Sequence, residues 1–169
     1  KVKLYFGDIP AGPPISKYDV WEVRLESDKY EIMQDRVPQA QYYKLWGGPH
    51  LTSGDTDLLN LAGDVLAGGK NSRLYDRLVY NEQTATGVQA GMFANEIGGF
   101  FWVVVTVQPG GDIEVVKRAV DEEVDRLMRD GISEDELDRV KASRRGGVGR
   151  GIERIGGFGG TADVLARLA

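Results

Sequence analysis

The sequence predicts an α+β domain: an antiparallel sheet with helices packed on one face. Three observations carry this. Short runs alternate apolar and polar residues or are apolar throughout, as strands do. Two longer runs repeat apolar residues at helical spacing behind residues suited to capping. Two adjacent strand runs, 84–94 and 100–107, meet at Gly98-Gly99, and a tight turn between neighbours favours an antiparallel pair.

Residues 7–17 hold three of the six prolines and two glycines, so they read as a linker. The domain division is therefore a lead-in segment with its Pro/Gly linker over 1–17 and one α+β domain over 18–169. From 18 to 26, Trp21, Val23 and Leu25 alternate with Glu22, Arg24 and Glu26, the pattern of a half-buried strand. A weaker strand is expected over 30–37, closed by Pro38, and another over 39–46, ended by Gly47-Gly48-Pro49. Ser53 to Thr56 offer caps for a helix whose Leu58, Leu59, Ala62, Val65 and Leu66 share a face and which Gly68-Gly69 ends. Asn71 or Ser72 caps a short second helix to about Glu82, with Leu74 and Leu78 inward.

The 84–94 strand is rich in small residues, and 100–107 is apolar on both faces, a central strand covered on both sides. The cover on the second face is either a helix layer of this chain or another domain. Asp112 caps a helix with Ile113, Val116, Val120, Val124 and Leu127 in one stripe, which Gly131 stops. Ser133 and Glu136 form a capping box for a last helix, and after Ala142 the chain turns Arg- and Gly-rich.

Composition bounds the function. The 169 residues carry a net charge of −5, no cysteine and one histidine. Disulfides, thiolate catalysis, Cys-based metal sites and multi-histidine sites within this chain are excluded. The acidic balance argues against nucleic acid as a partner of the whole domain, and no run is apolar enough to span a membrane. Glycine, 23 of 169 or about 14%, is near twice the usual share. The chain opens on Lys1 without a signal peptide. It is expected to be a piece of something longer, whose upstream part would decide between periplasm and cytoplasm.

The candidate chemical constellations have ordinary readings. His50 lacks a second histidine and reads as structural or surface. Asp121, Glu122, Glu123 and Asp125 lie with Arg118 and Arg126 one turn either side of Glu122, a solvated ion-paired face rather than a carboxylate site. Gly68-Gly69-Lys70-Asn71-Ser72 has neither the spacing nor the preceding strand of a phosphate loop. From Arg139 to Ala169 seven basic residues face two acidic ones, which leaves RNA binding through the Arg/Gly-rich tail as an alternative. Gly156-Gly157-Phe158-Gly159-Gly160 reads as a hinge or a close backbone approach. The residues supply no catalytic or metal site.

Taken in order, several segments resemble the pitrilysin/insulinase-type zinc metallopeptidase family, whose members include processing-peptidase-like proteins. These are Tyr5 to Gly12, Leu66 to Glu82, Thr84 to Ala90, Gly131 to Leu137 with Val140-Lys141, and Glu153 to Ala162. The resemblance picks out Gly68, Gly69, Ser72, Arg73, Leu74, Gly156, Gly157 and Phe158 as structural-motif positions. It implies the second, non-metal domain of a half of such a peptidase, because the His-x-x-Glu-His motif is missing here. The parent would then carry zinc and cleave peptides, while this domain walls the substrate chamber and supports the zinc-bearing domain. An inactive scaffold or partner subunit of the same fold is the alternative. Family C-terminal halves place a substrate-binding Arg and Tyr seven residues apart, and those positions are Val79 and Thr86 here. The implied partners are an adjacent peptidase domain or partner subunit and a peptide substrate, and the excised piece is expected to dimerise or to expose an apolar patch.

Overall fold

The computed structural model describes all residues except 11, 15, 17, 22, 154–159 and 169. A five-residue helix, α1 (Val2–Phe6), comes first, and no other regular element precedes residue 41 among the described residues. Three strands follow, β1 (Gln41–Gly48), β2 (Ala85–Ala94) and β3 (Gly99–Val107), with α2 (Gly54–Ala67) and a π-helical turn (Tyr75–Asn81) between the first two. Three helices close the chain: α3 (Ile113–Asp130), α4 (Glu134–Glu153) and α5 (Thr161–Leu168).

The sheet is antiparallel in the order β1-β3-β2, so the run apolar on both faces is the central strand. Tyr42 pairs with Val105 and Lys44 with Val103, while Val88 and Ala90 meet the same two valines from β2. Paired residues share a face. Phe101, Val103, Val105 and Val107 are buried on that face, with Val116, Ala119 and Val120 of α3, Leu66 of α2, and Leu74 and Leu78. The core is therefore one layer between sheet and helices.

The caps behave as their residue types predict. Asp55 N–H donates to Ser53 Oγ at 3.3 Å, Glu114 N–H to Asp112 Oδ1 at 2.9 Å and Glu136 N–H to Ser133 Oγ at 3.3 Å. Glu136 returns the bond, accepting from Ser133 N–H at 2.9 Å, which completes the capping box. Gly131, at φ 74°, stops α3 in a conformation only glycine adopts freely.

Three expectations are corrected and one open alternative is decided among the described residues. No strand forms over 18–26 or 30–37 among the described residues. Alternation fixes which side is apolar but supplies no partner, and β1, β3 and β2 pair with one another without either run. In the 20s segment, Trp21 N–H donates to Ile97 O at 3.0 Å. Of the two covers left open for the second face of β3, a helix layer is not found among the described residues, where Trp102, Val104 and Thr106 are half-exposed. The helix α2 is rotated from its apolar stripe, with Leu58 exposed and Thr56 and Gly63 buried. The short second helix is a π-helix, closed by Glu82 N–H to Arg77 O five residues back at 2.8 Å. Leu74 and Leu78 are buried as expected, because either helix type turns both inward.

Candidate functional site

The motif around Gly68 builds a joint rather than a binding loop. Gly68 caps α2 through its N–H on Asp64 O at 2.7 Å, and Gly69 turns the chain at φ 115°. Ser72 does not cap through its side chain. Its hydroxyl donates instead to Gly69 O at 2.6 Å, which ties the loop to itself. Leu74 is fully buried in the core.

Arg73, between these two, reaches the turn joining α3 to α4. Its Nε and Nη2 donate to the two carboxylate oxygens of Glu136 at 2.6 and 2.8 Å, and Nη2 also donates to Gly131 O at 2.8 Å. One side chain thus holds the capping-box glutamate and the carbonyl at the end of α3. The Arg73 guanidinium, helped by Ser133, holds the Glu136 carboxyl down at about 2. Asn71, Arg126, Asp130, Asp135 and Arg139 surround this pair in an open depression.

The acidic face of α3 is ion-paired, although not as spacing within the helix suggests. Arg77, from the π-helical turn, bonds Glu82 at 2.7 Å, Glu122 at 2.6 Å and Glu123 at 3.3 Å. Asp121 pairs with Lys44 of β1. These carboxylates clamp α3 to the sheet and to the turn before β2. In the Arg/Gly-rich run, Arg144 pairs with Asp64 of α2. His50 Nδ1 lies 3.0 Å from Thr52 Oγ1, and His50 O accepts from Thr56 Oγ1 at 2.8 Å, the contacts of a loop histidine. Among the described residues no three acidic or histidine side chains gather as a metal-holding group. A zinc ion therefore does not fit the described part of this chain.

Val79 packs against the core, and Thr86 is the extra residue of a β-bulge between Ala85 and Gly87. Gln39 Nε2 bridges this bulge, donating to Thr86 Oγ1 at 3.2 Å and to Val107 O at 3.4 Å. The structure thus places Val79 partly buried against the core and Thr86 at an exposed strand irregularity. Gly156, Gly157 and Phe158 lie outside the described residues.

What motif reading passed over is the helix-free face of the sheet. By register it presents Tyr43 and Leu45 from β1, Phe100, Trp102 and Val104 from β3, and Phe93 from β2. Tyr43, Leu45 and Phe93 are each more than half exposed. Antiparallel sheets facing water normally turn polar residues outward, so this face is exceptional. The signal in the sequence is the odd-numbered run Tyr43, Leu45, which stays apolar opposite Tyr42, Lys44 and Trp46.

The family model described as the peptidase M16 inactive domain matches residues 1–144. Among solved structures, a protease from Helicobacter pylori is similar at a TM-score of 0.69 and 19% identity, over 79% of this chain and 31% of that one. The peptidase M16 inactive domain from Pseudomonas fluorescens is similar at 0.58 and 20%, over 80% and 32%. A candidate zinc protease from Bordetella pertussis Tohama I is similar at 0.56 and 23%, over 66% and 68%. At these identities the likeness is one of fold. The chain spans about a third of the first two structures. No curated protein matches it.

Proposed function

The chain belongs to the family of peptidase M16 inactive domains, and from that premise we propose that it is the non-catalytic domain of a zinc-dependent metalloendopeptidase, walling the substrate chamber and supporting the zinc-bearing domain. The helix-free face of the sheet is the observation that carries the reading. One face of this sheet is sealed by the chain's own helices, and the other presents Tyr43, Leu45, Trp102 and Phe93 with no helix over them among the described residues. A wall needs an interior side that can touch a peptide, and this face supplies it. Residues 1–17 are, in this reading, the segment leading in from the neighbouring domain, and 18–169 the domain itself.

The parent is proposed to hold its zinc in that neighbouring domain, because His50 is the one histidine of this chain. The chain's own part is mechanical. The Arg73–Glu136 joint and the Arg77 network fix α3 and α4 behind the sheet, so the wall keeps its shape.

The test uses the parent protein with a photo-crosslinking residue in place of Tyr43. Peptide substrate should become covalently attached during turnover, and zinc analysis should give about one metal per catalytic domain. No peptide adduct from Tyr43 or from Leu45 would overturn the chamber reading. A stable parent without zinc would favour the inactive scaffold or partner subunit. For the RNA alternative, one arginine of the tail, Arg144, is already engaged with Asp64.

A further inference from the structure

We infer that the helix-free sheet face selects its occupant by charge, taking an extended, uncharged, apolar polypeptide segment and rejecting charged ones. This deepens the chamber reading and rests on it for where such a segment comes from.

The face spans twelve strand positions by register, and none is Lys, Arg, Asp or Glu. The chain's 28% charged content would put about three there. The strands carry their one charged side chain, Lys44, on the opposite face, where Asp121 neutralises it. Gln41, Gln89, Thr106 and the Tyr43 hydroxyl are polar groups of the open face, and they offer neutral hydrogen bonds alone. Tyr43, Leu45, Phe93 and Trp102 supply aromatic and aliphatic contact. A charged side chain docked here would lose its hydration and find no counter-ion, whereas an apolar one would lose only unfavourable exposure.

The apolar surface continues past the sheet. Val23 O and Trp21 O lie so close to Gly47 and Gly98 that a side-chain carbon at either glycine would collide with them. Together with the Trp21 N–H bond to Ile97 O, those glycines seat Trp21 and Val23 at the hairpin end. Trp21, Val23 and Leu25 remain exposed there as an apolar rim. The chain carries a net charge of −5, so long-range attraction alone would favour basic peptides, and a neutral preference has to come from the face itself.

Three ten-residue peptides with the same Val, Leu and Phe positions, alternating with threonine, glutamate or lysine, test this by biolayer interferometry on the 169-residue chain. The threonine peptide should bind at least about tenfold more tightly than either charged one. Its affinity should move less than about twofold between roughly 50 and 500 mM salt. Leu45→Glu, at an exposed position, should weaken the threonine peptide about tenfold and turn the preference toward the lysine peptide. Equal binding of all three, no binding, or an unaffected Leu45→Glu chain would overturn the proposal. So would a dimer that Leu45→Glu dissociates and no peptide displaces, because the occupant would then be a second copy. Crosslinking from Tyr43 in the parent separates the two readings. Adducts with all three peptides alike would keep the chamber and remove the selectivity. Discrimination by the chain without any adduct in the parent would keep the selectivity and remove the chamber.

Discussion

Arg73 is the residue on which the helix layer depends most directly. It is largely buried, and it satisfies both oxygens of Glu136 together with the carbonyl that ends α3. Replacing it with alanine leaves a partly buried carboxylate and a carbonyl without their donor, so Arg73→Ala should cost about 1–3 kcal/mol in denaturant unfolding. Arg73→Lys keeps the charge but loses the fork geometry and should recover only part of that loss. A loss of stability below about 0.5 kcal/mol would show that the joint is not load-sharing. Glu136 gives a pH signature of the same joint. Its carboxyl is held at about 2 rather than near 4.5, chiefly by Arg73. A depressed folded value means the stabilisation is complete above about 4.5 and disappears as pH falls toward 2. NMR titration of the Glu136 side chain should find its midpoint well below an ordinary glutamate, and Arg73→Ala should return it upward. At the alkaline end, burial, with Asp121 nearby, pushes the Tyr42 hydroxyl from 10.0 up to about 12. That contribution is complete below pH 10 and is lost as pH rises through about 12. The Ser133–Glu136 capping box was legible in the sequence because both partners lie within one turn. The Arg73 partner was not, because 63 residues separate it from Glu136 and no local pattern encodes that meeting.

Among the elements, α2 and α4 show two opposite uses of glycine in a helix. A Cβ on Gly63 would come within 2.9 Å of Gly91 Cα in β2, so the missing side chain is what lets α2 lie on the strand. Asn60 on the same helix accepts from Met92 N–H at 3.3 Å, giving β2 a partner on its free edge. Gly63→Ala should therefore lose about 1–3 kcal/mol despite its better helix propensity. Gly147 in α4 has nothing within 4 Å of where a Cβ would stand. Gly147→Ala should gain up to about 1 kcal/mol from propensity alone. Thermal unfolding of the two variants should shift Tm in opposite directions, and shifts of the same sign would mean that the α2 contact relaxes freely. Helix stops, caps and the β2–β3 hairpin were readable because each is set by residues close in sequence. The strand expected at 18–26 was not realised although no described strand takes the outer edge of β1 or β2, because alternation alone supplies no pairing partner. The rotation of α2 likewise follows from Gly91, a residue that its own apolar stripe does not mention.

As a whole the molecule is a one-sided sandwich, with helices sealing one face of a three-stranded sheet and an uncharged apolar surface on the other. Many large side chains before residue 40 are exposed as well, from Leu4 and Tyr5 to Ile32 and Met33. Such a surface should make the chain associate as its concentration rises. Sedimentation should show this for the native chain and less of it for Leu45→Glu, whereas a monomer at every concentration would contradict it. Zinc added to the 169-residue chain should leave its Tm unchanged, since a single histidine without cysteine gives no tight site. The sequence by itself determined the α+β class, the central strand, the caps that begin α2, α3 and α4, the glycines that end α2 and α3, and the family, because these follow from local periodicity, capping chemistry and an ordered set of short segments. Only the tertiary structure decided which face of the sheet stays open, which residue Arg73 holds and which runs with strand-like alternation become strands. Each of these depends on contacts between residues far apart in the sequence, which no local pattern encodes.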